Sequence, residues 1–225
     1  MGGINRREVI RCLLSDQPLP EADPEELANV LKDLIVEFQD AEGGSKFGQV
    51  AIGRLLALRC HSLEGYAEAV ELTPDGHSAE VVYVCHYLEK CRDLEQLATG
   101  LELLTESLLH FLNVVAEGDK SNAGYRQKLK EADNHAYVAV SYLSFDDPME
   151  LIGCLADYGL NDWEDFPRTY DRAIDRAICA SKSFQNLFDL WMLAPAGSKR
   201  ERLAADKLRH VGLDNADEST DDSDL

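Results

Sequence analysis

Two Cys-His pairs, Cys60-His61 and Cys85-His86, with Cys91 shortly after, offer the softest donors in this chain. Thiolate and imidazole are what zinc takes. Neighbours on a helix point about 100° apart, so each pair can turn only one side chain comfortably toward a shared ion. Four ligands would need bends at both sites, and satisfied core thiols beside partly exposed imidazoles are the simpler expectation. No metal and no other cofactor is expected. A second kind of chemistry could come from Glu106 with His110 and Glu131 with His135, each pair on one helix face at i, i+4. Di-iron bundles use Glu-x-x-His, and here no glutamate stands three residues before a histidine. The simpler expectation is two helix-surface pairs. The alternative is a helical hydrolase or lyase working through His110 or His135 and nearby carboxylates, with or without a metal.

Phosphate-cradling loops are absent, since neither G-x-G-x-x-G nor G-x-x-x-x-G-K-[ST] occurs. G-x-S-x-G, H-E-x-x-H and C-x-x-C are missing as well. The chain is therefore read as more binder than enzyme, with no catalytic residues assigned.

The charge balance says what it would bind. With 22 Lys+Arg against 42 Asp+Glu the net charge is −20, a field that repels a phosphate backbone, so direct nucleic-acid binding through a basic surface is excluded. Acids and aromatics gather between 145 and 171, where Asp146, Asp147, Asp162, Glu164 and Asp165 alternate with Tyr158, Trp163 and Tyr170. Rings supply anchor area, and carboxylates select a basic partner and speed its encounter. These eight residues are the expected contact for a basic protein partner. An inhibitor, an immunity-type protein or a nucleic-acid mimic would use such a face. On the same stretch of chain, Asp171-Arg172 and Asp175-Arg176 read as an exposed ion-pair stripe.

The elements that position these residues are helices. Asp23-Pro24-Glu25-Glu26 joins an N-cap, a proline at the first helical position and two acids at the positive end of the helix dipole. Leu27, Val30, Leu31, Leu34, Ile35 and Phe38 then build one apolar face. Asp147-Pro148-Met149-Glu150 starts another helix in the same way. Further helices are expected near 4–15, 46–60, 63–73, 78–91, 93–117, 121–144, 168–181, 183–193 and 198–210. Taken together, the expectation is an all-α antiparallel bundle or short stack of helical hairpins with about nine to ten helices, forming one domain over 1–213. The stretch 214–225 carries acids and no base and is expected to be a disordered tail. Tyr66, Ala69 and Pro74 stand at the spacing of the closing half of a tetratricopeptide unit, but a step of 34 lands on Gly100, Leu103 and Leu108, so no repeat is sustained.

At 45% hydrophobic and 28% charged residues the composition is globular. Leu101 to Val115 is interrupted by Glu102, Glu106 and His110, so no membrane span is expected. The start of the chain lacks the apolar stretch of a signal peptide. Cytoplasmic residence follows, with six reduced cysteines, most of them buried and Cys91 set apart in polar surroundings. The sequence does not fix an oligomeric state.

Overall fold

In a computed structural model, residues 4–39, 44–160 and 165–218 are described, with backbone alone for 44, 45 and 212–218. The described chain is all-helical. Its elements are α1 (Arg6–Leu14), α2 (Pro24–Phe38), α3 (Gly44–Leu58), α4 (Leu63–Glu71), α5 (Ser78–Lys90), α6 (Leu94–Val114), α7 (Ala123–Tyr142), α8 (Pro148–Asp157), α9 (Pro167–Ala180), α10 (Phe184–Leu193) and α11 (Lys199–Glu218). The eleven helices among the described residues are slightly more than the round figure of nine to ten, although each lies on one of the eleven segments read from the sequence. Short polar breaks keep neighbours separate: between α9 and α10, Ser181 turns extended and Ser183 caps the next helix through Asn186 N. The backbone of α11 runs to Glu218, past the boundary expected at residue 213, while 219–225 lie outside the described residues.

The contacts divide the chain into two compact units. The first combines Met1–Lys90 with Leu103–Lys128, and the second combines Cys91–Glu102 with Leu129–Leu225. In the first unit, Asp23 Oδ1 accepts from Glu25 N and Glu26 N at 3.1 Å each and fixes the start of α2. Leu27, Leu31, Leu34 and Ile35 follow on its buried face. Burial of each large aliphatic side chain contributes about 1.5–3 kcal/mol. α2 packs on α3, and the rings of Phe38 and Phe47 lie 5.1 Å apart, so the end of one helix meets the start of the next. α3 stops because Cys60 and His61 both take φ of 51°, the left-handed region. Just ahead of them, Arg59 reaches Glu25 of α2 and Glu68 of α4.

In the second unit α8 packs on α9, and α10 packs on α11. Asp147 Oδ1 accepts from Met149 N at 2.8 Å, which is the expected Asp-Pro start of α8. α9 begins with Pro167 and no side-chain cap of its own. Its amide groups go to α7 instead: Arg168 N donates to Asp133 Oδ2 at 3.3 Å and Thr169 N to Asp133 Oδ1 at 2.9 Å. Among the described residues no helix is long and apolar enough to cross a membrane.

Candidate interaction surface

Of the eight acidic and aromatic residues singled out between 145 and 171, five are described, and one of these five, Tyr170, is turned into the core. Asp146 is exposed, and Asp147 is exposed while capping α8. Tyr158, at the end of α8, and Asp165, ahead of α9, are half-buried. Tyr170 is 4% exposed, so its ring belongs to the core and is not on a surface. Asp162, Trp163 and Glu164 lie outside the described residues. Tyr170 falls on the inner face of α9 with Ala173, Ile174 and Ala177, a helical period that fixes its direction.

Asp146 and Asp147 are brought to another element. They line a concavity with Lys182, Ser183 and Asn186, at the start of α10. That helix is apolar on two sides. Leu187 and Leu190 are buried, whereas Phe184, Phe188 and Met192 are 50%, 40% and 65% exposed. The Phe188 and Trp191 rings lie 5.7 Å apart. Residues 184, 188, 191 and 192 follow the i, i+4, i+7, i+8 pattern of one helix face. The signal was present in the sequence: Phe-Gln-Asn-Leu-Phe-Asp-Leu-Trp-Met-Leu holds more large apolar groups than one buried stripe can use.

α9 sorts its charges into two stripes. Asp171 and Asp175 face Arg200 of α11, whose Nε donates to Asp171 O at 3.0 Å and whose Nη2 donates to Asp175 Oδ2 at 3.1 Å. Arg200 Nη1 also pairs with Asp171 Oδ1 at 3.0 Å, at an angle short of a hydrogen bond. Burial pushes the Asp171 carboxyl above the ordinary range against the pull of Arg200, and Asp175 and Asp133 add to the rise. On the other side, Arg168 bonds Asn134 Oδ1 and sits over the Tyr137 ring at 4.8 Å. Arg172 Nε donates to Ser141 Oγ at 3.1 Å. Arg176 donates to Val140 O and sits 4.7 Å from the Phe145 ring centre. The exposed stripe of Asp-Arg pairs expected from the sequence is therefore replaced by half-buried contacts to two different helices.

The histidines of the two Cys-His pairs both end up beside a tyrosine. Tyr66 has His61 at 6.0 Å and His86 at 5.6 Å, ring centre to ring centre, and its hydroxyl lies 3.3 Å from His61 Nδ1. Among the described residues no three His, Cys, Asp or Glu converge as metal ligands. Cysteine burial differs from expectation: only Cys85 and Cys91 are buried, Cys12 and Cys154 are intermediate, and Cys60 and Cys179 are exposed. Cys91 is fully buried, and its thiol lies 3.3 Å from Gln96 O in the first turn of α6.

His110 bonds across helices, not to Glu106. Its Nδ1 lies 2.9 Å from Glu80 Oε1 and 3.8 Å from Asp75 Oδ1. Glu80, itself buried, accepts from Gly76 N through its other oxygen at 3.0 Å. The Glu80 hydrogen bond raises the His110 pKa; burial opposes it, while Glu80, Asp75 and Glu106 charges support it. The group ties the α4–α5 connection to α6. His77 and Gln49, 3.1 Å apart, border a second pocket whose interior of ≈ 20 Å³ has room for about one water. No protein-family model matches this chain, and neither does any curated protein or solved structure.

Proposed function

We propose that the chain is a non-enzymatic interaction protein that binds a basic protein partner, and that the partner lays an amphipathic, basic helix along α10. The observation that carries this reading is the second apolar face of α10, held in water while Leu187 and Leu190 fill the core. Large apolar groups at helical spacing suit recognition of one helix by another, read out as i, i+4, i+8 anchors. Charge selects the occupant. Asp146 and Asp147 stand at the start of α10 with a single Lys182 beside them, and the whole chain carries −20. A second copy would meet like charge, whereas a basic helix gains steering and register. An inhibitor that presents carboxylates to a basic site is the sharper form of this reading.

The pairwise packing of consecutive helices supports a short stack of helical hairpins as the finer description of the fold. None of the six cysteines is joined in a disulfide, which fits the reading of a reducing, cytoplasmic setting.

The test uses a synthetic helix of Leu and Lys and its Leu and Glu counterpart, titrated into the full chain and followed by tryptophan fluorescence. The Leu/Lys helix should bind saturably and more weakly at raised salt, as the Debye length shrinks to about 8 Å and below. Phe188→Ala combined with Met192→Ala should weaken it about tenfold. Asp146→Asn with Asp147→Asn, which keeps the cap oxygen, should slow association. Equal binding of both peptides, or variants that bind like the parent, would overturn the reading. A dimer of the chain that the Phe188 and Met192 variant dissociates would assign the face to a second copy instead.

A further inference from the structure

Arg168, Arg172 and Arg176 stand at i, i+4 and i+8 on α9, in a chain whose carboxylates outnumber its bases by 42 to 22. With that surplus, a guanidinium would ordinarily find a carboxylate. Among the described residues none of the three does: their partners are an amide oxygen, a hydroxyl, a main-chain carbonyl and two aromatic rings. The cause is the sorting on α9, since the acids that share the helix with them, Asp171 and Asp175, face Arg200.

Arg172 and Arg176 line an open concavity with Phe145, Asp175, Cys179 and Ala180. Its one carboxylate, Asp175, is compensated by Arg200, which places Nε 3.0 Å from Oδ1 and Nη2 3.1 Å from Oδ2. Arg172 spends only Nε on Ser141, and Arg176 spends Nη1 on Val140 O, so each keeps N–H groups that no described residue takes. Both side chains are held in place, one by a hydroxyl and the other by a carbonyl and the Phe145 ring.

We infer that Arg172 and Arg176 form a binding site for a single phosphoryl dianion, carried by free phosphate or by a small phosphate ester. Two fixed guanidiniums match two negative charges and present the planar forks that phosphate oxygens accept from. A carboxylate would neutralise only one of them. Polyanions are excluded by the net charge of −20, which one small dianion tolerates far better than a nucleic-acid backbone does. Burial, with Arg172 as a like-charged neighbour, lowers the pKa of Arg176, and a bound anion would relieve that repulsion.

The experiment titrates the full chain with inorganic phosphate, phenyl phosphate and acetate in separate arms, read by calorimetry. Saturable binding of phosphate or phenyl phosphate is expected, the stronger arm telling the free ion from an ester, with acetate showing none. Arg172→Gln should weaken that binding about tenfold while the thermal midpoint confirms the fold. Cys179 supplies a second readout on the unaltered protein. Negatively charged iodoacetate should react there faster relative to neutral iodoacetamide than at exposed Cys60, and phosphate should remove the difference. No saturable binding in either phosphate arm, an Arg172→Gln variant that binds like the parent, or the same reagent ratio at Cys179 and Cys60 would each overturn the site. None of these measurements touches α10, so their failure is distinct from failure of the helix-binding reading.

Discussion

Asp133 of α7 caps α9 through Thr169, a residue 36 positions further along the chain. Thr169 N donates to Asp133 Oδ1 at 2.9 Å, and Thr169 Oγ1 lies 2.8 Å from the same oxygen and 2.9 Å from Asp133 O. Both residues are buried. A helix whose own N-cap position holds Phe166 thus receives its cap from another helix, which fastens α9 to α7 as well as satisfying its first amides.

Replacing Asp133 with Ala should cost about 2–3 kcal/mol, because two helix amides and a hydroxyl lose a charged acceptor in a buried setting. Asp133→Asn keeps one oxygen toward Thr169 and should cost about 1 kcal/mol. Urea unfolding of both variants checks the order. Equal losses would mean that the carboxylate charge adds nothing to the cap.

His110 makes stability depend on pH. Its native pKa is raised above the ordinary 6.5, first by the Glu80 hydrogen bond. The folded state therefore holds the proton more tightly than the unfolded chain. That contribution is fully present below about pH 6.5 and is lost as pH rises through the raised native value. His110→Gln should flatten this part of the stability curve, and proton NMR of the imidazole should place its midpoint above the ordinary value. A midpoint at or below it would sink the prediction.

The six thiols should react in three waves. Cys60 and Cys179 are exposed and should react at once with a neutral disulfide reagent, Cys12 and Cys154 more slowly, and Cys85 and Cys91 only on unfolding. Burial pushes the Cys91 thiol up to about 12, with the nearby Asp93 charge adding to the rise, so it should be the slowest of all. Peptide mapping of the modified protein identifies the order.

Gly76 has φ of 74°, and a Cβ added there would lie 2.6 Å from Val114 Cβ. Gly76→Ala should destabilise the protein by about 1–3 kcal/mol through backbone strain, with the crowding of a branched side chain adding to it. Because Glu80 accepts from Gly76 N, the same change should also lower the His110 midpoint. A stability loss without movement of that midpoint would separate the two effects.

Local chemistry made the helices legible. Asp23-Pro24 and Asp147-Pro148 start α2 and α8 because a cap acts on amides two or three residues away, within reach of a sequence pattern. The cap on α9 was not legible, since its acceptor comes from Asp133 across the fold. Apolar context misled for the thiols: Cys60 follows a run of apolar residues but lies where the helix breaks with positive φ, so its side chain leaves the core. Tyr170 was placed among acids by sequence order and among Ala173, Ile174 and Ala177 by helical period, and the period decided its place. Pairing was the other hidden variable. Glu106 precedes His110 by one turn, yet the buried Glu80 takes the imidazole, and no spacing rule relates residues 30 apart.

The two compact units are interleaved in sequence, since the chain passes from the first to the second after Lys90, returns after Glu102 and leaves again after Lys128. No single cut can release either as a continuous fragment, so cloning one half of the gene would deliver parts of both. During synthesis the earlier unit stays incomplete until residue 128 has emerged, and the segment Cys91–Glu102 waits for residues made after it. A ribosome stalled near residue 100 would therefore display two unfinished units, a state in which apolar helix faces such as that of α5 are exposed to whatever chaperone reaches the chain first.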